Sequence, residues 1–245
     1  MVSQFFKISF VIFIFVLTQI NFSNCQIFQG TGVIINNTGD ILTNAHVIGN
    51  NPKAIVIEND TGGQFQAIIK SIDYENDIAL ISIQRATKYF AYIRMDDKYN
   101  YGLTPIYGEE VNIIGYPNGE FEPRGGLVSK LNSPKFFSNG FSIGLSTTYG
   151  CSGAPILDEK GLLIGLLWGG ANDDGSYKDN ERMHLQVYGL NANIILPFIY
   201  KAEVKYGISS PNDAPISITK YSSIERIDKI INRGSRFTVK ILCEQ

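Results

Sequence analysis

From Gln26 to about Tyr200, short apolar runs alternate with turns that are rich in Gly, Asn, Asp and Pro. Each run has the length of a strand, and helical periodicity is absent until the C-terminal segment. Parallel α/β folds need helical crossovers between their strands, so this pattern argues against them. The sequence therefore predicts an all-β chain with antiparallel sandwich or barrel architecture. Examples of the runs are AIVIEND, DIALISI, EVNIIGYP and APILDEKGLLIGLLW.

The charge and the scarcity of histidine and cysteine exclude several classes of function. Lys and Arg number 21 and Asp and Glu number 23, so the net charge is −2 and no strong field exists to attract nucleic acid. The chain has only two histidines, His46 and His184, and no closely spaced Cys or His pair of the kind that binds structural zinc. We therefore expect no nucleic-acid partner, no metal and no cofactor.

Residues 1–25 resemble an export signal. Lys7 supplies a positive charge, and the apolar stretch Ile8–Leu17 is shorter than the roughly 20 residues of a membrane span. A short membrane anchor, or lipid attachment at Cys25, would be the alternative. The sequence predicts a secreted or periplasmic protein that has no stable membrane span once the signal is removed.

The last forty or so residues differ from the rest. A loop, SSPNDAP, precedes a capping box at Ser222–Glu225, a helix that ends near Gly234, and a strand over Arg236–Leu242. This segment shows no recognisable chemistry, and it could pack on the main domain or have a separate binding role. We divide the chain into a signal at residues 1–25, a main domain at 26–204 and a C-terminal extension at 205–245.

Three segments together carry residues suited to nucleophilic catalysis. His46 ends the run LTNAHV, Asp77 opens the strand NDIAL, and Ser152 lies between glycines in GCSGAP. A serine hydroxyl is a weak nucleophile, so a histidine must take its proton, and a carboxylate must hold that histidine in the right tautomer. The glycine turn would aim the N–H groups of Gly150 and Ser152 at a developing oxyanion.

Competing assignments are weaker at each position. The nucleophile elbow G-x-S-x-G is broken by Ala154, and His184, which follows Ser152, lacks the expected context. Asp73 does not directly precede the apolar run, as Asp77 does. A thiol nucleophile at Cys151 would lack the glycine two residues ahead. The order His, Asp, Ser fits a chymotrypsin-type double barrel.

From roughly Gly30 to Lys201 the chain resembles the trypsin-like serine peptidases of the chymotrypsin superfamily, in particular their HtrA-like branch without PDZ domains. Five motifs in the right order carry the resemblance: TGVIINNTGDILTNAHV, NDIALISI, VNIIGYPNG, GGLVSKL and GCSGAPILDEKGLLIGLLWGG. It implies a double antiparallel β-barrel that divides near residues 116–124. It also implies a serine endopeptidase that acts on proteins or peptides through an acyl-enzyme. Because the long N-terminal segment and the PDZ domains of HtrA proteins are not recognised in the sequence, a trimer is not implied and we expect a monomer.

The same resemblance suggests substrate-binding residues. Leu167, Trp168 and Gly169 match the strand that pairs with the substrate backbone, and Ser146 matches the base of the pocket for the residue before the cleaved bond. His184 is either a surface histidine or a contact for a polar or acidic residue in that pocket. Two other functions are open: a catalytically idle member of the fold that binds peptides or proteins, and an esterase that uses the same site.

Overall fold

The structure, a computed structural model, describes residues 27–95, 104–133, 137–147, 149–171, 184–206 and 216–245. Within these ranges, strands, three α-helices and a short 3-10 helix at Pro117–Gly119 form two β units. The strands are β1 (Ile27–Ile34), β2 (Asp40–Thr43), β3 (Ala54–Glu58), β4 (Gln64–Gln66), β5 (Ile68–Asp73), β6 (Ile78–Ser82), β7 (Glu110–Gly115), β8 (Glu122–Ser133), β9 (Phe137–Thr147), β10 (Pro155–Leu157), β11 (Leu163–Ala171), β12 (His184–Asn191) and β13 (Thr238–Glu244). The helices are α1 (Ala45–Ile48), α2 (Ala192–Lys201) and α3 (Ser223–Gly234).

The first unit is a curved sheet with the strand order β4-β3-β13-β1-β2-β6-β5. Its β1–β2 hairpin turns where the side-chain oxygen of Asn36 accepts hydrogen bonds from the N–H groups of Thr38 and Asp40. Strand β2 then pairs antiparallel with β6, so that Thr43 lies opposite Ala79. The end of β2 and the start of β6 are therefore neighbours, which brings together the segments that carry the predicted histidine and aspartate.

The second unit is a closed barrel of six strands in the order β10-β11-β12-β9-β8-β7. Its first strand along the chain is β7, which pairs with β8 and with β10. The barrel thus begins at Glu110, upstream of the division predicted at residues 116–124. The reason is that the run VNIIGYPNG contains both the first strand of this barrel and the turn that follows it.

The C-terminal strand β13 is inserted into the first sheet. It pairs antiparallel with β1 on one side and with β3 on the other. Helix α3 precedes it and begins with the predicted capping box, in which the Ser222 hydroxyl accepts from the N–H of Glu225 and the Glu225 carboxylate accepts from the N–H of Ser222. Of the two alternatives for this segment, packing on the main domain is observed; the domain boundaries at residues 25 and 204 stay predictions.

Two hydrophobic cores hold the fold together. One fills the first sheet and continues beneath α2, with members such as Ile41, Leu80, Ile195 and Ile241. The other fills the closed barrel around Phe141. The all-β class and the double antiparallel β-barrel are therefore confirmed, the first unit being a half-barrel sheet. Among the described residues, no helix is long and apolar enough to cross a membrane.

Candidate active site

His46 lies on the short helix α1, one turn after the end of β2. Its neighbours on the helix, Ala45, Val47 and Ile48, are buried and anchor the turn in the first core. The side chain of His46 is itself 44% exposed, whereas that of Asp77 is only 14% exposed. The local sequence thus fixes the backbone of the histidine and leaves its ring open to solvent.

Asp77 holds the histidine by both carboxylate oxygens. Its Oδ1 accepts from the backbone N–H of His46 at 2.8 Å, and its Oδ2 lies 2.6 Å from Nδ1 of the His46 ring. An ionised carboxylate can only accept a hydrogen bond, so Nδ1 carries the proton in this pair. The other ring nitrogen, Nε2, is then left with a lone pair that can receive a proton.

The backbone at Asp77 takes an uncommon conformation that two neighbours support. Its φ is +50°, a left-handed value that aspartate tolerates better than most residues. The buried side chain of Asn44 donates from Nδ2 to the carbonyl oxygen of Asp77 at 3.1 Å. Asn44 therefore connects the residue before α1 to the turn before β6 and helps to aim the carboxylate.

Asp73, the rival candidate, has a different task. Its carboxylate accepts from the backbone N–H of Asn76 at 3.1 Å and from the Asn76 side chain at 2.8 Å. Burial raises the pKa of Asp73, but these hydrogen bonds outweigh it, and the pKa lies below its ordinary value. Asp73 thus braces the turn that leads into Asp77.

Ser152 lies in a tight turn that depends on its two glycines. Gly150 has φ +92° and Gly153 has φ +84°. In this left-handed region the backbone of any residue other than glycine is strained. A Cβ on Gly150 would collide with the carbonyl oxygen of Tyr116, and a Cβ on Gly153 would collide with the carbonyl oxygen of Thr31. The two glycines therefore let the Ser152 turn press against the rest of the fold.

Thr31, in the middle of β1, ties the Ser152 turn to the strand that leads to His46. Its N–H donates to the carbonyl of Ser152 at 2.8 Å, and its hydroxyl donates to the carbonyl of Gly150 at 2.7 Å. Its own carbonyl accepts from the Thr43 hydroxyl at 2.7 Å. One fully buried residue thus joins the two units at the point where the predicted site residues meet.

Gly30 brings the same segments into contact by its lack of a side chain. A Cβ at this position would lie 2.5 Å from Val47 Cγ1, on the helix of His46, and 3.2 Å from the carbonyl oxygen of Ser152. Such distances leave no room for a side chain between the α1 helix and the Ser152 turn. The α1 helix that carries His46 and the Ser152 turn are therefore close neighbours on either side of Gly30, and Asp77 is bonded to His46. The catalytic roles of the three residues stay a prediction.

The Ser152 hydroxyl lies beside strand β11. Its Oγ donates to the carbonyl oxygen of Trp168 at 3.3 Å. The pairing of β11 with β12 is irregular at Trp168, between Leu167 and Gly169, and both Trp168 and Gly169 are partly exposed. In the described part of the chain, neither the N–H of Gly150 nor that of Ser152 donates a hydrogen bond.

Leu167 differs from the prediction. Its side chain is fully buried in the core of the closed barrel, its N–H donates to Ala154, and its carbonyl accepts from the N–H of Gly153. Both polar backbone groups are thus used to hold the Ser152 turn, so Leu167 cannot pair with a peptide. The exposed edge of this strand begins at Trp168.

The side chains of Ser146 and His184 lie outside the described residues. Their backbones belong to β9 and β12, and His184 pairs with Thr147. This register puts the backbones of the two candidate specificity residues on adjacent strands. Their contribution to a pocket stays a prediction.

Cys151 and Cys243 occupy separate hydrophobic cores, the first in the closed barrel and the second in the first sheet. No disulfide joins them. Burial raises the pKa of the Cys243 thiol to about 12.

The sequence analysis missed three residues that build the site, namely Gly30, Thr31 and Asn44. For Thr31 and Asn44 the available signal was a polar side chain within an apolar strand or directly after it.

Comparison with known proteins identifies the family of the chain. A family model described as "Trypsin-like peptidase domain" matches residues 30–166. An uncharacterized protein of Sinorhizobium fredii, y4bJ, is 27% identical over 88% of this chain and 32% of its own length. The serine protease Rv3671c of Mycobacterium tuberculosis is 25% identical over 61% of this chain and 38% of its own length.

The fold has solved counterparts. The structure described as "HtrA-type protease AlgW with decapeptide" superposes with a TM-score of 0.60 at 20% identity, covering 71% of this chain and 51% of that one. Our chain spans about a third of the length of the curated relatives that it matches over most of its residues.

Proposed function

Because the chain belongs to the family of trypsin-like peptidases, we propose that it is a serine endopeptidase that hydrolyses peptide bonds through His46, Asp77 and Ser152. The observation that carries the proposal is the double hold of Asp77 on His46, through Nδ1 and through the backbone N–H. A carboxylate placed in this way orients the ring and stabilises the imidazolium that forms during catalysis.

In the first step the Ser152 Oγ attacks the carbonyl carbon of the substrate, and its proton passes to Nε2 of His46. The serine hydroxyl must first turn away from the Trp168 carbonyl toward the histidine ring. The tetrahedral intermediate then collapses, the C–N bond breaks, and His46 gives the proton to the leaving amine. An acyl-enzyme on Ser152 remains.

In the second step His46 takes a proton from water, and the resulting hydroxide attacks the ester carbonyl of the acyl-enzyme. The C–O bond to Ser152 breaks, the proton returns to Ser152 Oγ, and a carboxylic acid product leaves. Asp77 stays ionised throughout and stabilises each imidazolium.

The N–H groups of Gly150 and Ser152 would stabilise the oxyanion in both steps. Backbone donors held by a rigid turn need no reorganisation when the charge develops, and the loss of one such donor costs about 3 kcal/mol. The hydrogen bond from the N–H of Asn118 to the carbonyl of Tyr149, at 2.8 Å, supports this role, because that carbonyl lies in the same peptide plane as the Gly150 N–H.

The partly exposed strand edge at Trp168 and Gly169 would bind the substrate backbone. An extended peptide would pair with the backbone of this segment and so add a strand to the barrel edge. The HtrA-type neighbour AlgW was solved with a decapeptide, which is consistent with peptide substrates. Ser146 would form an uncharged base for the side-chain pocket.

We further propose that residues 1–25 direct export and that the protein acts as a monomer outside the cytoplasm.

The test of the proposed peptidase function is cleavage of a denatured proteome by wild type and by Ser152→Ala, with new N-termini identified by mass spectrometry. We expect cleavage by the wild type alone, with a preference for uncharged residues before the cleaved bond. Binding of peptides without cleavage by either protein would instead favour a catalytically idle module. Cleavage of short acyl esters but not of proteins would favour an esterase.

A further inference from the structure

A cavity opens at the end of the first sheet that lies away from the candidate active site. Its volume is about 440 Å³, within the range of roughly 300 to 1,000 Å³ that is common for small-molecule sites. Strand β6 begins directly after Asp77 and ends directly before Ile83, which lines the cavity. A five-residue strand spans roughly 16 Å, so the two sites are separate.

The cavity has an apolar floor built from distant parts of the chain. Ile34 ends β1, Ile57 comes from β3, and Val239 comes from the C-terminal strand β13. All three side chains are buried. Phe65 on β4 and Ile83 after β6 complete the floor, and both are partly exposed at the opening. An apolar body of a ligand would displace water from these surfaces.

One wall is a segment that crosses the sheet end after β6 and is held in place by backbone bonds. The N–H of Ile83 donates to Gly39, the N–H of Thr87 donates to Asn37, and the N–H of Ala91 donates to Ile34, at 2.8 to 3.1 Å. The Thr87 hydroxyl adds a bond to the carbonyl of Asn36. The cavity is therefore preformed, and a ligand would not have to order this segment.

The rim carries three cations and one acid. The Arg85 guanidinium lies 5.1 Å from the centre of the Phe65 ring, and the Arg236 guanidinium lies 4.8 Å from the centre of the Tyr89 ring. Lys88 also lies over Tyr89, at 5.4 Å. Among the described residues these three side chains make no ion pair and no hydrogen bond, and Asp60 is the one acid that lines the cavity. The rim therefore has an excess of two positive charges in a chain whose net charge is −2.

We propose that this cavity binds an amphipathic carboxylate, with its aliphatic body on the apolar floor and its carboxylate between Arg85 and Arg236. Stacking on an aromatic ring uses the face of a guanidinium and leaves its N–H edge available for a planar carboxylate. The cation–π contacts also hold both arginines over the opening before a ligand arrives. The strand β13, whose role the sequence left open, supplies both Val239 and the adjacent Arg236.

Calorimetric titration of the full chain carrying Ser152→Ala tests this site without interference from self-cleavage. The probes are octanoate, 1-octanol as a neutral molecule of the same chain length, and acetate as a carboxylate without a long aliphatic chain. We expect octanoate to bind at least about tenfold more tightly than either of the others. Equal binding of octanol would refute the role of the charge, and equal binding of acetate would refute the role of the apolar floor.

Point variants then locate the site. Arg85→Gln and Arg236→Gln should each weaken octanoate binding by about tenfold, because a charge-assisted hydrogen bond is lost in each. The matched control is Lys130→Gln, an exposed cation on the closed barrel, which should leave the affinity unchanged. All three positions are exposed, so the variants should remain folded, which circular dichroism checks. Wild-type affinity in both arginine variants, or an equal loss in the control, would overturn the proposal. Neither result depends on whether the chain cleaves peptides.

Discussion

Replacing Gly150 by alanine should inactivate the enzyme while leaving most of its stability in place. A Cβ at this position would collide with the carbonyl oxygen of Tyr116 and lie 2.9 Å from Nε2 of Gln29. The carbonyl belongs to the backbone and cannot rotate away, so the Gly150 peptide has to move. In addition, a φ of +92° costs a residue other than glycine about 1 to 2 kcal/mol.

The expected loss of activity follows from the same displacement. Gly150 supplies one of the two proposed oxyanion donors, and a misdirected donor costs about 100-fold to 1,000-fold in kcat. The substrate ground state does not use this interaction, so KM should change little. The assay is kcat and KM with a fluorogenic peptide chosen from the cleavage profile, measured well below the melting temperature of the variant.

Gly108→Ala provides a matched control for backbone strain. Gly108 also has a positive φ, +79°, but no atom lies within 4 Å of its Cβ position. This variant should lose about 1 to 2 kcal/mol of stability and keep wild-type kcat. If Gly150→Ala were as active as Gly108→Ala, the assignment of Gly150 to the oxyanion hole would be wrong.

Three further changes test other parts of the structure. Asp77→Asn should lower kcat by about 10,000-fold in the same peptide assay, because an amide cannot hold the His46 tautomer, and a fall of less than tenfold would refute the role of Asp77. Removal of residues 236–245 deletes β13 from between β1 and β3, so cooperative thermal unfolding followed by circular dichroism should disappear; an intact transition would contradict the pairing. Asp40→Asn tests pH dependence: burial raises the pKa of Asp40, but hydrogen bonds from Asn36 and Lys70 outweigh it, so the pKa is lowered. The wild type should therefore exceed this variant in stability above about pH 3.8, and urea titrations should show that advantage shrink as the pH falls further; a constant difference would exclude the linkage.

The sequence predicted the fold because its strongest signals are local. Alternating apolar runs and glycine turns indicate strands wherever they occur, and the segments around His46, Asp77 and Ser152 each combine a strand end with a polar residue. These features depend on short stretches of chain and need no knowledge of distant partners.

The features that the sequence did not predict depend on contacts between distant segments. The run RFTVKIL indicates a strand, but nothing in it specifies insertion between β1 and β3. In the sequence, Thr31 looks like an ordinary strand residue. Its role is apparent only from its hydrogen bonds with Gly150 and Thr43 in the structure. The sequence predicts substrate binding for Leu167, and only the structure shows that its backbone is bonded to Gly153 and Ala154 in the Ser152 turn.

The most direct test of the central claim is the reaction of the protein with a fluorophosphonate, followed by intact mass measurement and peptide mapping. The Ser152 Oγ should attack phosphorus, fluoride should leave, and the proton should pass to His46. We predict one adduct on Ser152 in the wild type, none in Ser152→Ala, and greatly slowed labelling in His46→Ala. Absence of an adduct in the folded wild type, or an adduct that persists in Ser152→Ala, would contradict the account.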